Sequence, residues 1–116
     1  MKIITLREKG WYDKKTEYRM WDHLCRAYGI TFEIIEDKDL TELNEREIIL
    51  FEENGNINLE DFVHQDKIYL FGRTGFNLLD MFPNAISVKI QTPKNIVLFG
   101  SIAAGIVLYD RWLKCQ

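Results

Sequence analysis

Short apolar runs alternate with amphipathic or polar stretches along this chain, and that alternation predicts five strands separated by helices and turns. Residues 2–6 are a β-rich run ending in charge, the first strand. A polar loop through Gly10 leads to Thr16, the expected N-cap of a helix reaching about Tyr28. Its apolar positions Tyr18, Trp21, Leu24, Cys25 and Tyr28 recur at three- and four-residue spacings, and Gly29 stands where a helix is stopped by glycine. Residues 30–35 form the second strand, with a short helix expected around 39–43. Residues 48–51 are continuously apolar, the mark of a strand covered on both faces. After a turn at 54–56 and a short helical or irregular stretch at 58–62 comes the strand 67–71. Gly72-Arg73-Thr74-Gly75, a short helix over 76–82 closed by Pro83, and a fifth strand at 85–90 follow. Residues 91–95 are a loop, and a last helix runs from 96 or 97 to about 113.

Strands that alternate with helices imply parallel pairing with right-handed crossovers. The expected fold is therefore one α/β domain over residues 1–116, a small, mostly parallel five-stranded sheet with helices on both faces. At 116 residues the chain can bury a core without disulfides or metals.

The last helix is apolar on nearly every side. Its run from Ile96 to Tyr109 is short of the roughly twenty residues that span a membrane, so it reads as a buried helix. Either it is sandwiched between its own sheet and the first helix, or it also packs on a partner. A homodimer contact is the favoured expectation, since an exposed apolar stripe of that size is a liability.

Composition adds less. Apolar residues make up 47% and charged residues 28%, ordinary for a folded domain, and the net charge is −3. The charge is uneven, however. Residues 36–66 hold eleven acids against Lys38 and Arg46, between two mildly basic ends. This argues against a surface that coats nucleic acid uniformly and leaves a local basic site open. The acidic stretch reads first as a solvated flank and second as a protein-binding surface. Cys25 and Cys115 belong to no metal or redox motif and suggest reduced thiols; with no targeting signal visible, the expected compartment is the cytoplasm. No metal site is expected.

Two loops at strand ends are the candidate site, 72–75 and 91–95, because ligands in open α/β sheets bind beyond the carboxyl ends of strands. Gly72-Arg73-Thr74-Gly75 lacks the Gly-Lys-Ser/Thr ending of a phosphate loop and the third glycine of a dinucleotide fingerprint. Glycine there lets the backbone approach a flat ring or a ribose. Arg19, Arg26 and Arg73 could each hold a phosphate or be surface charges. Trp11 and Tyr12, beside Lys14 and Lys15, are candidates for stacking on a base. His23 and His64 read as structural or surface histidines.

From Leu59 onward the sequence resembles the 2′-O-ribose branch of the SPOUT superfamily of RNA methyltransferases. The strand ending Leu70-Phe71-Gly72, then Gly75 and Phe76-Asn77-Leu78-Leu79, is similar to that family's second motif. Val88-Lys89-Ile90-Gln91-Thr92-Pro93 is similar to the next strand, and Ile102-Ala103-Ala104-Gly105-Ile106-Val107-Leu108-Tyr109-Asp110 to the closing helix. Earlier, Arg26-Ala27-Tyr28-Gly29-Ile30 falls where the family's first helix ends. The resemblance implies a C-terminal trefoil knot and dimerisation through the first and last helices. It also implies S-adenosylmethionine held, largely by backbone groups, at Phe71, Gly72, Arg73, Gly75, Ile90, Thr92, Pro93, Ile96 and Leu98. RNA is the implied substrate.

The motif side chains themselves diverge. Glu17, Arg19 and His23 stand where the family has Asn, Gly and the catalytic Arg, which leaves Arg19 as a displaced candidate for that role. Arg73-Thr74 replaces Pro-Glu, and Val97 and Phe99 replace the Ser and Asn that open the third motif. Two functions follow as expectations. One is an S-adenosylmethionine-binding domain, acting on RNA if it acts at all. The other is a catalytically inactive dimeric module that binds a protein on the same scaffold.

Overall fold

The computed structural model describes residues 1–10 and 13–116. Trp11 and Tyr12, the base-stacking candidates, lie outside the described residues. Among the described residues, six parallel strands form one sheet: β1 (Lys2–Leu6), β2 (Thr31–Ile35), β3 (Ile48–Phe51), β4 (Ile57–Asn58), β5 (Ile68–Phe71) and β6 (Ile86–Lys89). Their order is β2-β1-β5-β3-β6-β4, so the late strand β5 lies between two earlier ones. The expected α/β parallel sheet is present. The strand count is corrected from five to six, because β4 is a two-residue strand paired with β6 through Ile57 and Val88. So short a pairing leaves no alternation to read in sequence.

Helix α1 (Lys14–Tyr28) begins earlier than Thr16. Asp13 is the true N-cap, its Oδ1 accepting the Thr16 N–H at 2.7 Å, so Thr16 lies inside the first turn. Gly29 ends the helix as expected, with φ +66 and the Ile30 N–H reaching back to the Cys25 carbonyl at 2.9 Å. Helix α3 (Gly100–Lys114) packs beside α1. Together they cover one sheet face, where Trp21, Cys25, Ala104, Val107 and Leu108 meet Ile3, Ile49, Tyr69 and Phe71. The 3-10 turn Asp37–Glu42 and the single-turn helix α2 (Leu78–Met81) cover the other face, through Leu40 and Leu78. A fully covered sheet explains why β3 is buried at all four positions.

The start of the last helix is also corrected. Residues 96–99 are not helical, and α3 begins only at Gly100. The Thr92 hydroxyl takes both polar groups of Ile96, accepting its N–H at 3.0 Å and donating to its carbonyl at 3.2 Å. The backbone there is committed to an arch. No helix among the described residues is long and apolar enough to cross a membrane.

Candidate functional site

The loops that leave β3, β5 and β6 at their carboxyl ends enclose a cleft of about 310 Å³. These three strands are neighbours in the sheet, and ligands of open α/β sheets usually lie beyond the carboxyl ends of strands. Phe51, Phe71 and Val88 are buried strand-end residues, and the Phe51 and Phe71 rings stack at 4.8 Å. The arch 90–99 and the start of α3, at Gly100 and Ala103, complete the wall.

The loop after β5 is held from outside the cleft. Arg73 donates to both Asp37 oxygens, at 3.2 and 2.7 Å, and lies over the Phe76 ring at 5.2 Å. The hydrogen bonds from Arg73 hold the Asp37 carboxyl below its ordinary range. The Thr74 N–H donates to Glu8 at 3.0 Å, and Gly75, at φ +80, closes the turn. Behind Glu8 lies Glu17, a buried carboxylate that accepts the Glu8 N–H at 2.7 Å and an Arg7 N–H at 3.3 Å. Burial raises the Glu17 pKa in spite of those bonds.

Of the residues proposed for cofactor contact, Phe71, Gly72, Arg73, Ile90, Thr92, Ile96 and Leu98 line the cleft. Gly75 and Pro93 do not; they shape the turns that carry the wall. Arg19 is exposed on α1, outside the cleft. Arg26 pairs with Asp22 at 2.9 Å, and the Arg73 guanidinium is engaged by Asp37, which leaves it poorly placed to hold a phosphate. Among the described residues no group of three or more His, Cys, Asp or Glu is arranged to hold a metal. Cys25 is buried, with its thiol pushed up to about 11, and is unreactive; Cys115 is exposed.

Two features escape a reading of the sequence. Glu52, Glu53 and Asn54, directly after β3, form part of the cleft wall. The strand-end rule that singles out the loops after β5 and β6 applies after β3 as well, and is the signal that could have found them. The second is a partly buried chain of hydrogen bonds: His64 joins Tyr69 Oη at 2.6 Å and Asp110 at 2.7 Å, and Lys114 pairs with the same carboxylate at 2.9 Å.

With this geometry in place, the likenesses to solved structures have a physical counterpart. One, from work on 2′-OH methylation of C/U34 on tRNA, matches with a TM-score of 0.73 at 11% identity, covering 98% of this chain and 89% of that one. Another, a candidate RNA methyltransferase from Bacillus anthracis, matches with a TM-score of 0.53 at 16% identity, covering 97% and 92%. The likeness is one of fold. No family model matches the chain, and neither does any curated protein sequence.

Proposed function

We propose that this protein binds S-adenosylmethionine in the strand-end cleft and acts as an RNA methyltransferase of the SPOUT kind. The observation that carries the reading is the cleft itself. It lies at the ends of β5, β3 and β6, and its walls contain most of the positions that the family resemblance picks out. Its volume is near the lower end of small-molecule sites, roughly 300–1,000 Å³. Its residues suit the cofactor: Ile90, Ile96 and Leu98 offer apolar contact to an adenine ring, and the loops around Gly72 and Thr92 offer backbone groups to its edges. When bound, S-adenosylmethionine supplies an electrophilic methyl group. The chain's own part is to shape the cleft and hold its rim, through Arg73–Asp37 on one side and Thr92–Ile96 on the other. The trefoil knot belongs to the same proposal, supported by the insertion of β5 between β1 and β3. A cytoplasmic location accords with an RNA substrate. Calorimetric titration of S-adenosylmethionine tests the reading: saturable heat is expected, and none at millimolar ligand would overturn it.

A homodimer through α1 and α3 is part of this proposal. On α3, Ile102, Ile106, Tyr109 and Leu113 recur every three or four residues and are exposed, Ile106 at 41% and Tyr109 at 52%; Trp112 and, on α1, Tyr18 are exposed as well. Such a stripe is the signature of an unpartnered helix face. Arg19, also exposed on α1, is proposed to act across that interface. Sedimentation is expected to give a dimer, and Ile106→Glu with Tyr109→Glu to give a folded monomer. A wild-type monomer at high micromolar concentration would sink the dimer.

The inactive protein-binding module is the second reading, favoured by one observation: no unpaired guanidinium faces the cleft among the described residues of the protomer. Its acidic surface is partly occupied. Asp37 holds Arg73 and Lys9, Glu36 lies 3.3 Å from Arg7, and Glu45 accepts the Asn84 N–H. Partner recovery with Glu42, Glu47 and Glu53 reversed in charge separates the two readings, since unchanged recovery counts against the module.

A further inference from the structure

Glu52 is set into the cleft wall at both ends. Its N–H donates to the Val88 carbonyl at 3.0 Å, and its carboxylate accepts the Leu78 N–H at the start of α2. It is half-buried, and no salt bridge neutralises it among the described residues. The charges that bear most on it are those of Glu53 and Asp80, both of its own sign. Burial and those neighbours raise its pKa, which marks a carboxylate lacking a counter-charge. Lys89, on the adjacent strand end, also lines the cleft and has no ion-pair partner among the described residues. An unneutralised carboxylate fixed in a partly dry wall favours a ligand that brings positive charge, and a lone lysine beside it suits a ligand carboxylate.

We infer that Glu52 makes this cleft selective for charge, favouring the sulfonium form of the cofactor over its neutral thioether product. The inference rests on the reading that the cleft binds S-adenosylmethionine. The cofactor and S-adenosylhomocysteine differ by one methyl group and one positive charge, and apolar contacts distinguish them poorly. A fixed negative charge roughly 8–16 Å from the sulfonium distinguishes them by roughly five- to thirtyfold at an effective dielectric of about 20. Spent product is then released in favour of fresh cofactor without any change in the shape of the site.

Calorimetry with S-adenosylmethionine and S-adenosylhomocysteine on wild type and Glu52→Gln tests this. The substitution is a suitable probe because the side-chain amide oxygen still accepts the Leu78 N–H while the charge is gone. Wild type is expected to prefer the sulfonium about tenfold, and the variant to bind both alike, through weaker sulfonium binding. An unchanged ratio in the variant overturns the role of Glu52 and leaves the cofactor reading intact. Absence of binding by wild type to either ligand overturns both. If the variant does not fold, wild type alone decides with sinefungin, which carries an ammonium in place of the sulfonium methyl. Sinefungin should then bind with the preference shown to S-adenosylmethionine, and binding no tighter than the thioether rejects the inference.

Discussion

Gly55→Ala is expected to lower the melting temperature by about 10 °C or more and to abolish the S-adenosylmethionine binding proposed for the cleft. A Cβ at Gly55 would lie 2.5 Å from the Val88 carbonyl carbon and 2.8 Å from the Lys89 nitrogen, both backbone atoms of β6. Those atoms cannot step aside. The Glu52 N–H is bound to the Val88 carbonyl at 3.0 Å, the Asn56 N–H to Ser87 Oγ at 3.0 Å, and β4 pairs with β6 at Ile57 and Val88. Relieving the clash means separating the loop after β3 from β6, with loss of several hydrogen bonds and of the cleft wall they support. Overpacking of this kind costs about 3 kcal/mol or more. Gly29→Ala is the control. Its φ of +66 imposes strain, but beyond its chain neighbours no atom of the described residues lies within 4 Å of an added Cβ, so a cost of only about 1–2 kcal/mol is expected. Thermal melts of the two variants by circular dichroism decide the matter. A Gly55→Ala protein melting within about 2 °C of wild type would show that the two segments are not so closely packed.

Gly55 also shows where sequence reading reaches its limit. The residue reads as part of an ordinary Asn-Gly-Asn turn, and the requirement for glycine comes from a strand thirty-three positions away. Features set by local chemistry are legible: β3 stands out as a continuous apolar run, and Gly29 as a helix stop. The arch 96–99 reads as part of the last helix because apolar residues that line a cleft look the same, in one dimension, as those that face a core. Periodicity reports that a side chain avoids water and is silent on whether a ligand or a helix covers it. The backbone-built part of the cleft is legible for the opposite reason, since glycine, proline and strand ends constrain the chain locally. Glu52 and Glu53 disappear into an acidic stretch, and only their place directly after β3 separates them from its solvated carboxylates.

His64 is the other residue whose replacement should cost most. Tyr69 is buried, and its hydroxyl is pushed up to about 12, so it keeps its proton and donates to His64 Nδ1. His64 Nε2 therefore carries the ring proton and donates to Asp110, forty-six residues away on α3. Lys114 donates to the carbonyls of Leu59, Glu60 and Phe62 and binds the same Asp110 carboxylate, so the chain of bonds fastens α3 to the segment before β5. His64→Phe keeps the packing against Phe62 and strands the Tyr69 hydroxyl without an acceptor; a loss of about 3 kcal/mol is expected. Burial also holds the His64 pKa below its ordinary 6.5. Below that pH the unfolded chain takes up a proton first, so the residue's contribution is fully present above 6.5 and is lost as pH falls toward the folded value. Wild type should show this acid-side loss between denaturant melts at neutral and mildly acidic pH, and His64→Phe should lack that component. The hydroxyl proton that loses its acceptor supplies the sharper test. Tyr69→Phe alone should cost about 1 kcal/mol, whereas added to His64→Phe it should be neutral or stabilising, since it removes the buried O–H proton left without an acceptor. Simple additivity of the two changes would mean that the Tyr69–His64 bond does not hold the end of α3 in place.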